Sequence, residues 1–219
     1  MSGRRGIPFV VSAPSGTGKT TICRRVIERD PGLALSVSHT TRHRRSGERD
    51  GVDYHFVSPV EFQQLIDEEA FLEWAVYNDH HYGTSWAAIE EPLARGRDML
   101  LEIEVQGARQ VRKRREDSRS IFLVPPSFEA LRRRLESRGT EAPAAIARRL
   151  EVARLEFVAL EEFDYAVVND ALEAAVDSVR EIVAAERSGD TAAARRRHSP
   201  AAARRRLGAA PDPAGAGRP

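Results

Sequence analysis

Directly behind the apolar run Ile7-Pro8-Phe9-Val10-Val11, and directly ahead of a helical pattern, stand Ala13-Pro14-Ser15-Gly16-Thr17-Gly18-Lys19-Thr20. A strand that ends in a small-residue loop and opens a helix aims backbone N–H groups, and the positive end of the helix dipole, at one point in space. A polyphosphate fits that point. Lys19 then supplies a point charge for the β- and γ-phosphates, and Thr20 a hydroxyl for Mg²⁺. The pattern departs once from G-x-x-x-x-G-K-[ST], at Ala13. A Cβ there is harmless at negative φ and costs about 1–2 kcal/mol in the left-handed region, so the loop is expected to enter extended. The bland alternative is a Gly-rich turn with Lys19 as surface charge; the spacing and the strand–helix context favour the phosphate loop. Such a loop specifies a triphosphate without saying what is done with it.

Lys19 and Thr20 work only if flanking elements hold them. Thr21 to Glu28 carries apolar residues at Ile22, Cys23, Val26 and Ile27, the spacing of a helix packed on a sheet, and Asp30-Pro31-Gly32 stops it. Asp98 to Glu104 and Ser120 to Val124 are apolar runs of the kind found in buried parallel strands, and each precedes a helical pattern. Tyr165 to Val168 gives another strand and Leu172 to Val183 a closing helix. This alternation predicts an α/β fold, a parallel sheet flanked by helices. Residues 33–58 break the rhythm with short alternating pieces and polar turns, and read as an inserted lobe. After it, Ser58, Pro59 and Glu61 spell a helix start with a capping box.

Of 219 residues 41% are apolar, enough for one good core with small inserted lobes. The net charge of +1 conceals a split, since residues 187–219 hold eight Arg against two Asp and leave −5 on residues 1–186. A mildly acidic body argues against a nucleic-acid surface. The basic segment lacks apolar periodicity and is expected to be a disordered tail, residues 187–219. The lone cysteine, Cys23, excludes an intramolecular disulfide and reads as a core residue. Met1 to Gly6 is basic, but the apolar run behind it breaks at once into the loop, so a leader is not expected; no run approaches the ~18 apolar residues of a membrane span. A cytoplasmic protein without a membrane partner is expected. The histidines, His39, His43, His55, the His80-His81 pair and His198, form no catalytic array and read as surface groups.

In the inserted lobe Ser38, Thr40, Thr41, Arg42, Arg45, Gly47, Glu48, Gly51, Tyr54 and Phe56 stand in the order S-x-T-T-R-x-x-R-x-G-E-x-x-G-x-x-Y-x-F. With Phe71 to Ala75, Tyr82-Gly83-Thr84, Glu102 to Gly107 and the blocks from Arg134 to Leu150, this closely resembles the guanylate kinase family, from the phosphate loop to Asn169. The resemblance implies a P-loop nucleoside-triphosphate-hydrolase-like sheet with an inserted monophosphate-binding lobe and a mobile lid. Core residues would be 1–36 and 86–186, the GMP lobe 37–85 and the lid about 138–150. It implies ATP on Ala13, Pro14, Ser15, Gly16, Thr17, Gly18, Lys19 and Thr20, with Asn169 beside the adenine, and GMP or dGMP as acceptor.

For that acceptor, Arg42 and Arg45 offer forked donors to a phosphate dianion and Tyr54 and Tyr82 add phenols. Glu73 matches the family's guanine-binding glutamate, accepting from the adjacent N–H donors of guanine, while Ser38 and Thr84 can donate to its O6 and N7 side. From the residues alone, Glu73 beside Trp74 would read as a helix-face carboxylate. Glu102 and Glu104, at i and i+2 on the end of a strand, are placed toward GMP, with Glu104 also reaching Mg²⁺ through water. Arg134, Arg138 and Arg149 match arginines that the family brings onto the moving phosphoryl group, with Lys19 on the donor side. Arg134 and Arg138 share a helix face, and Gly139 frees residues 140–145 as a flap. Two other readings stay open: a P-loop kinase for another monophosphate, and a guanylate-kinase-like binding module without catalysis.

Overall fold

The computed structural model describes residues 4–77, 79–137 and 142–207. Strand β1 (Pro8–Ser12) is buried at every residue, as a continuous apolar run requires, and α1 (Lys19–Arg29) follows the loop with Ile22, Cys23 and Val26 inward. Short strands β2 (Leu33–Leu35), β3 (His39–Thr40) and β4 (His55–Phe56) lead to α2 (Pro59–Asp67). The Ser58 hydroxyl accepts from the Glu61 N–H while Glu61 accepts from the Ser58 N–H, so the capping box forms as the sequence specifies. Then come β5 (Phe71–Tyr77), β6 (His80–Ser85), α3 (Ala87–Ala94), β7 (Asp98–Glu102), α4 (Val105–Arg114) and β8 (Arg119–Val124). The chain continues through α5 (Phe128–Glu136), α6 (Pro143–Phe157), a 3₁₀ turn (Val158–Glu162), β9 (Tyr165–Val168), α7 (Leu172–Ser188), α8 (Ala192–Arg197) and α9 (Pro200–Leu207). Among the described residues one sheet has the order β2-β7-β1-β8-β9 and the other β4-β3-β6-β5.

The chain divides into two compact units, one running to Val10 and over Asp30–Arg119, the other over Val11–Arg29 and from Ser120 onward. Residues 37–85 fall in the same unit as β2, α3, β7 and α4. In the first unit β2 and β7 run parallel, β5 and β6 antiparallel, and Phe62 of α2 stacks on Phe71 of β5 at 4.6 Å between centroids. Asp98, fully buried, accepts from Arg4 Nη2 at 2.8 Å and from the Ile7 N–H at 2.7 Å, which satisfies a charge that burial alone would penalise. In the second unit β8 and β9 run parallel, from Ile121 opposite Tyr165 to Val124 opposite Val168. Parallel neighbours need a long crossover, which α5 and α6 provide.

Two expectations change here. Strand β7 stops at Glu102, and Glu104 is the N-cap of α4, so the two glutamates do not share a strand face. Residues 192–207 are not a disordered tail but two helices, with residues 208–219 outside the described part. Alanine explains this: Ala194 and Ala203 are buried, and the His198 carbonyl accepts from the Ala166 N–H of edge strand β9 at 2.7 Å. Helices this short hold only through such tertiary contacts. Arg204 pairs with Glu161, and Arg197 and His198 with Glu181.

His198 is buried rather than a surface group, and His39 is half-buried, stacked on His55 at 4.7 Å. Burial, and next the neighbouring His55, lowers the His39 pKa from 6.5, against smaller opposing effects of the Gly83 backbone and Asp50. The unfolded chain therefore binds the extra proton first, and the stability this site contributes falls as pH drops below about 6.5. We expect His39→Gln to flatten the fall in Tm between pH 7.5 and pH 5.5, measured by thermal melts beside the parent chain.

Candidate active site

In the second unit the phosphate loop is braced from three sides. Thr17 N–H closes a turn on the Pro14 carbonyl at 3.1 Å, with Gly16 at φ +88° in its third position, where a side chain would be strained. A Cβ on Gly16 would also meet Leu135 at 2.7 Å and Leu131 at 3.0 Å, the leucines that α5 turns inward. Ala13 is buried and is not among the positive-φ residues, so it takes the place of a glycine without strain. Leu131 and Leu135 form a cluster with Ile146, Leu150 and Ala153 of α6. That cluster sets two arginines over the loop. Arg134 donates to the Asn169 carbonyl at 2.9 Å and to the Thr17 carbonyl at 3.4 Å, and Arg149 donates to the Ser15 hydroxyl at 2.6 Å.

Asn169, just past β9, donates from its side chain to the Thr17 carbonyl at 2.6 Å and from its backbone to Val124 at 2.8 Å. Lys19 and Thr20 begin α1, where the helix dipole favours anions. Two hydroxyls here, Ser12 Oγ and Thr17 Oγ1, are buried without a hydrogen-bond partner among the described residues, the kind of group that a polar ligand satisfies. No group of three or more His, Cys, Asp or Glu among the described residues could hold a metal ion. A divalent ion here would take an oxygen from Thr20 and the rest from phosphate and water, which is how magnesium is bound beside phosphates. Arg138 and residues 139–141 lie outside the described residues, and Pro143 opens α6, so residues 143–145 of the expected flap are helical.

In the first unit the other predicted residues gather on the smaller sheet. Glu73 of β5 is 3% exposed and stands in register opposite Thr84 of β6, whose hydroxyl lies 3.1 Å from that of Ser38. It is a strand residue, not a helix-face carboxylate. Arg42 is clamped by Glu48 at 2.8 and 3.1 Å and donates to the His43 carbonyl at 2.7 Å, while its guanidinium lies 5.5 Å from the centre of the Tyr54 ring. Tyr54 and Tyr82 meet edge to face at 6.0 Å. The side chain of Arg45 is exposed, and its N–H donates to Glu48 at 2.8 Å. Glu102 closes β7 and Glu104 opens α4.

Glu48 has a role that the motif alone does not assign: it holds Arg42 and accepts from the Arg45 N–H. The Arg42 hydrogen bond holds its carboxyl below the ordinary glutamate value, against a smaller burial cost and with help from the Arg45 N–H. The signal was available: a carboxylate three residues after Arg45 in an arginine-rich turn must neutralise something. Glu48→Ala releases Arg42, and we expect KM for the acceptor nucleotide to rise about tenfold or more, as truncating one partner of a partly buried ion pair does. Steady-state kinetics with the acceptor varied checks this.

The family model described as guanylate kinase matches residues 5–186. The chain belongs to the guanylate kinase family. It is 48% identical over 183 residues to the guanylate kinase of Syntrophotalea carbinolica, covering 84% of this chain and 87% of that one. It is 49% identical over 177 residues to that of Dechloromonas aromatica, covering 81% and 88%. A crystal structure of guanylate kinase from Anaplasma phagocytophilum matches with a TM-score of 0.71 and 33% identity, over 89% of this chain and 92% of the other. The fold is thus the guanylate kinase α/β fold with a mostly parallel central sheet, and the chain is an enzyme of the nucleoside monophosphate kinase class. Neither the binding-module reading nor a kinase for another monophosphate is favoured. Helices α8 and α9 lie beyond the matched residues.

Proposed function

We propose that this guanylate kinase moves the γ-phosphoryl group of ATP reversibly to GMP or dGMP, in purine nucleotide metabolism, and that its residues divide the work as follows. The observation that carries the choice of base is Glu73, a carboxylate 3% exposed beside the Ser38–Thr84 hydroxyl pair. Guanine offers this carboxylate two adjacent N–H donors, and adenine would leave it facing a lone pair. Arg42, held by Glu48, and Arg45 take the acceptor phosphate together with Tyr54 and Tyr82. Residues 13–20 cradle the triphosphate, and Asn169 keeps the loop in shape beside the adenine. Mg²⁺ when bound would neutralise the β- and γ-phosphates, held by the Thr20 hydroxyl together with phosphate oxygens and water.

The acceptor phosphate has a second pKa near 6 and is mostly a dianion at neutral pH, so no general base is needed. Catalysis then rests on alignment and on charge neutralisation. Lys19, Arg134 and Arg149 supply the charge, with Arg138 from the lid, about 138–150. Arg134 bonds to carbonyl oxygens and Arg149 to a hydroxyl, partners that phosphate oxygens can replace. We place the reaction in the cytoplasm; no helix among the described residues is long and apolar enough to cross a membrane. ADP release measured with GMP, dGMP, AMP, UMP and no acceptor, with and without Mg²⁺, tests the assignment. Turnover confined to the two guanine nucleotides and to Mg²⁺ is expected, and AMP turning over as fast as GMP would refute it.

A further inference from the structure

Strand β5, which carries Glu73, lies at the edge of its sheet, and among the described residues no strand neighbours its outer backbone groups. Side chains from α4 take that place. Gln110 Oε1 accepts from the Trp74 N–H at 3.2 Å while Gln110 Nε2 donates to the Trp74 carbonyl at 2.6 Å, so one amide answers both outer groups of the residue next to Glu73. Arg114 Nη1 donates to the Phe71 and Leu72 carbonyls, both at 2.8 Å. Those carbonyls belong to the irregularity in the β5–β6 register between Phe71 and Glu73. An extra residue there decides which face of the sheet the next side chain occupies, since a slip of one position sends Glu73 to the opposite face.

Gly107, Gln110 and Arg114 stand at i, i+3 and i+7, one face of α4. A Cβ on Gly107 would lie 2.2 Å from Glu73 Oε2 and 3.0 Å from its Cδ, so the carboxylate rests against bare helix backbone in the first turn of α4. The three residues thus define the height of Glu73, its register and the depth to which its carboxylate sits. We propose that Gly107, Gln110 and Arg114 are positioning residues that determine base selectivity without touching the base, an inference that rests on Glu73 being the guanine contact.

The test compares kcat/KM for GMP and inosine monophosphate, which lacks only the N2 amine, in the full chain. Displacing Glu73 lowers the ratio of the two, whereas simple loss of folded enzyme lowers both equally. Gly107→Ala is expected to reduce the ratio by about 10²-fold and Gln110→Leu by about tenfold, with KM for ATP within about twofold of the parent, as misplacing a contact by about 1 Å does. Arg114→Lys, which keeps a donor for the two carbonyls, retains the parent ratio. A parent-like ratio in both folded Gly107→Ala and Gln110→Leu overturns the proposal, and Gln110→Leu decides alone if Gly107→Ala does not fold. Glu73→Gln is run in parallel: if it leaves the ratio unchanged, the guanine reading of Glu73 falls and this inference with it. If it abolishes the ratio while the α4 variants do not, only this inference falls.

Discussion

Lys19→Met is expected to slow phosphoryl transfer by about 10³-fold or more while GMP affinity stays within about twofold of the parent. Charge that develops on the moving phosphoryl group is stabilised by fixed cations, and removing one such electrostatic contact from a water-excluded site costs about 10²–10³ in kcat. Phosphoryl transfer leans on this more heavily than most reactions, having little covalent chemistry for the protein to perform. Methionine keeps an unbranched stem one atom shorter and removes only the charged head, so the loop and its braces from Arg134, Arg149 and Asn169 persist. The residues assigned to GMP lie between Ser38 and Glu104, away in sequence from the loop. Single-turnover rates with calorimetric GMP titration check both halves, and unaltered turnover would remove Lys19 from the mechanism.

Glu73→Gln is expected to lower kcat/KM for GMP by about 10²–10³ and to erase most of the preference over AMP. A site built to pair with a substrate's donors rejects an analogue lacking them by about 10⁴–10⁵, because its own buried group is left unpaired. Glutamine keeps one acceptor, replaces the other with a donor and carries no charge, so guanine exchanges two charge-assisted bonds for one neutral bond while adenine loses its penalty. At 3% exposure the carboxylate has little water to fall back on. Competition kinetics with GMP and AMP on parent and variant decides this. A variant as selective as the parent would place the base contact elsewhere.

How legible these residues are depends on how local their signals are. The phosphate loop, the α2 capping box and strands β8 and β9 each announce themselves within a few neighbours, and the structure has them where the spacing puts them. Glu73 has no such signal. Its own neighbourhood suggests a helix face, and only resemblance singled it out; the α4 residues that support it lie more than thirty positions downstream. The braces of the loop are further still, Arg149 standing 134 residues from Ser15 and Asn169 152 from Thr17. Sequence pattern carries no record of such pairings. Helices α8 and α9 escaped for the opposite reason: they bury alanine, which leaves no apolar period to read.

The most direct measurement incubates the full chain with ATP labelled in the γ-phosphate and equal GMP and AMP, then resolves the products by ion exchange. The predicted result is label almost entirely in GDP, exceeding that in ADP by about 10³-fold or more, and none in any product without Mg²⁺. Label in inorganic phosphate, or divided evenly between GDP and ADP, contradicts transfer to a guanine nucleotide chosen by Glu73.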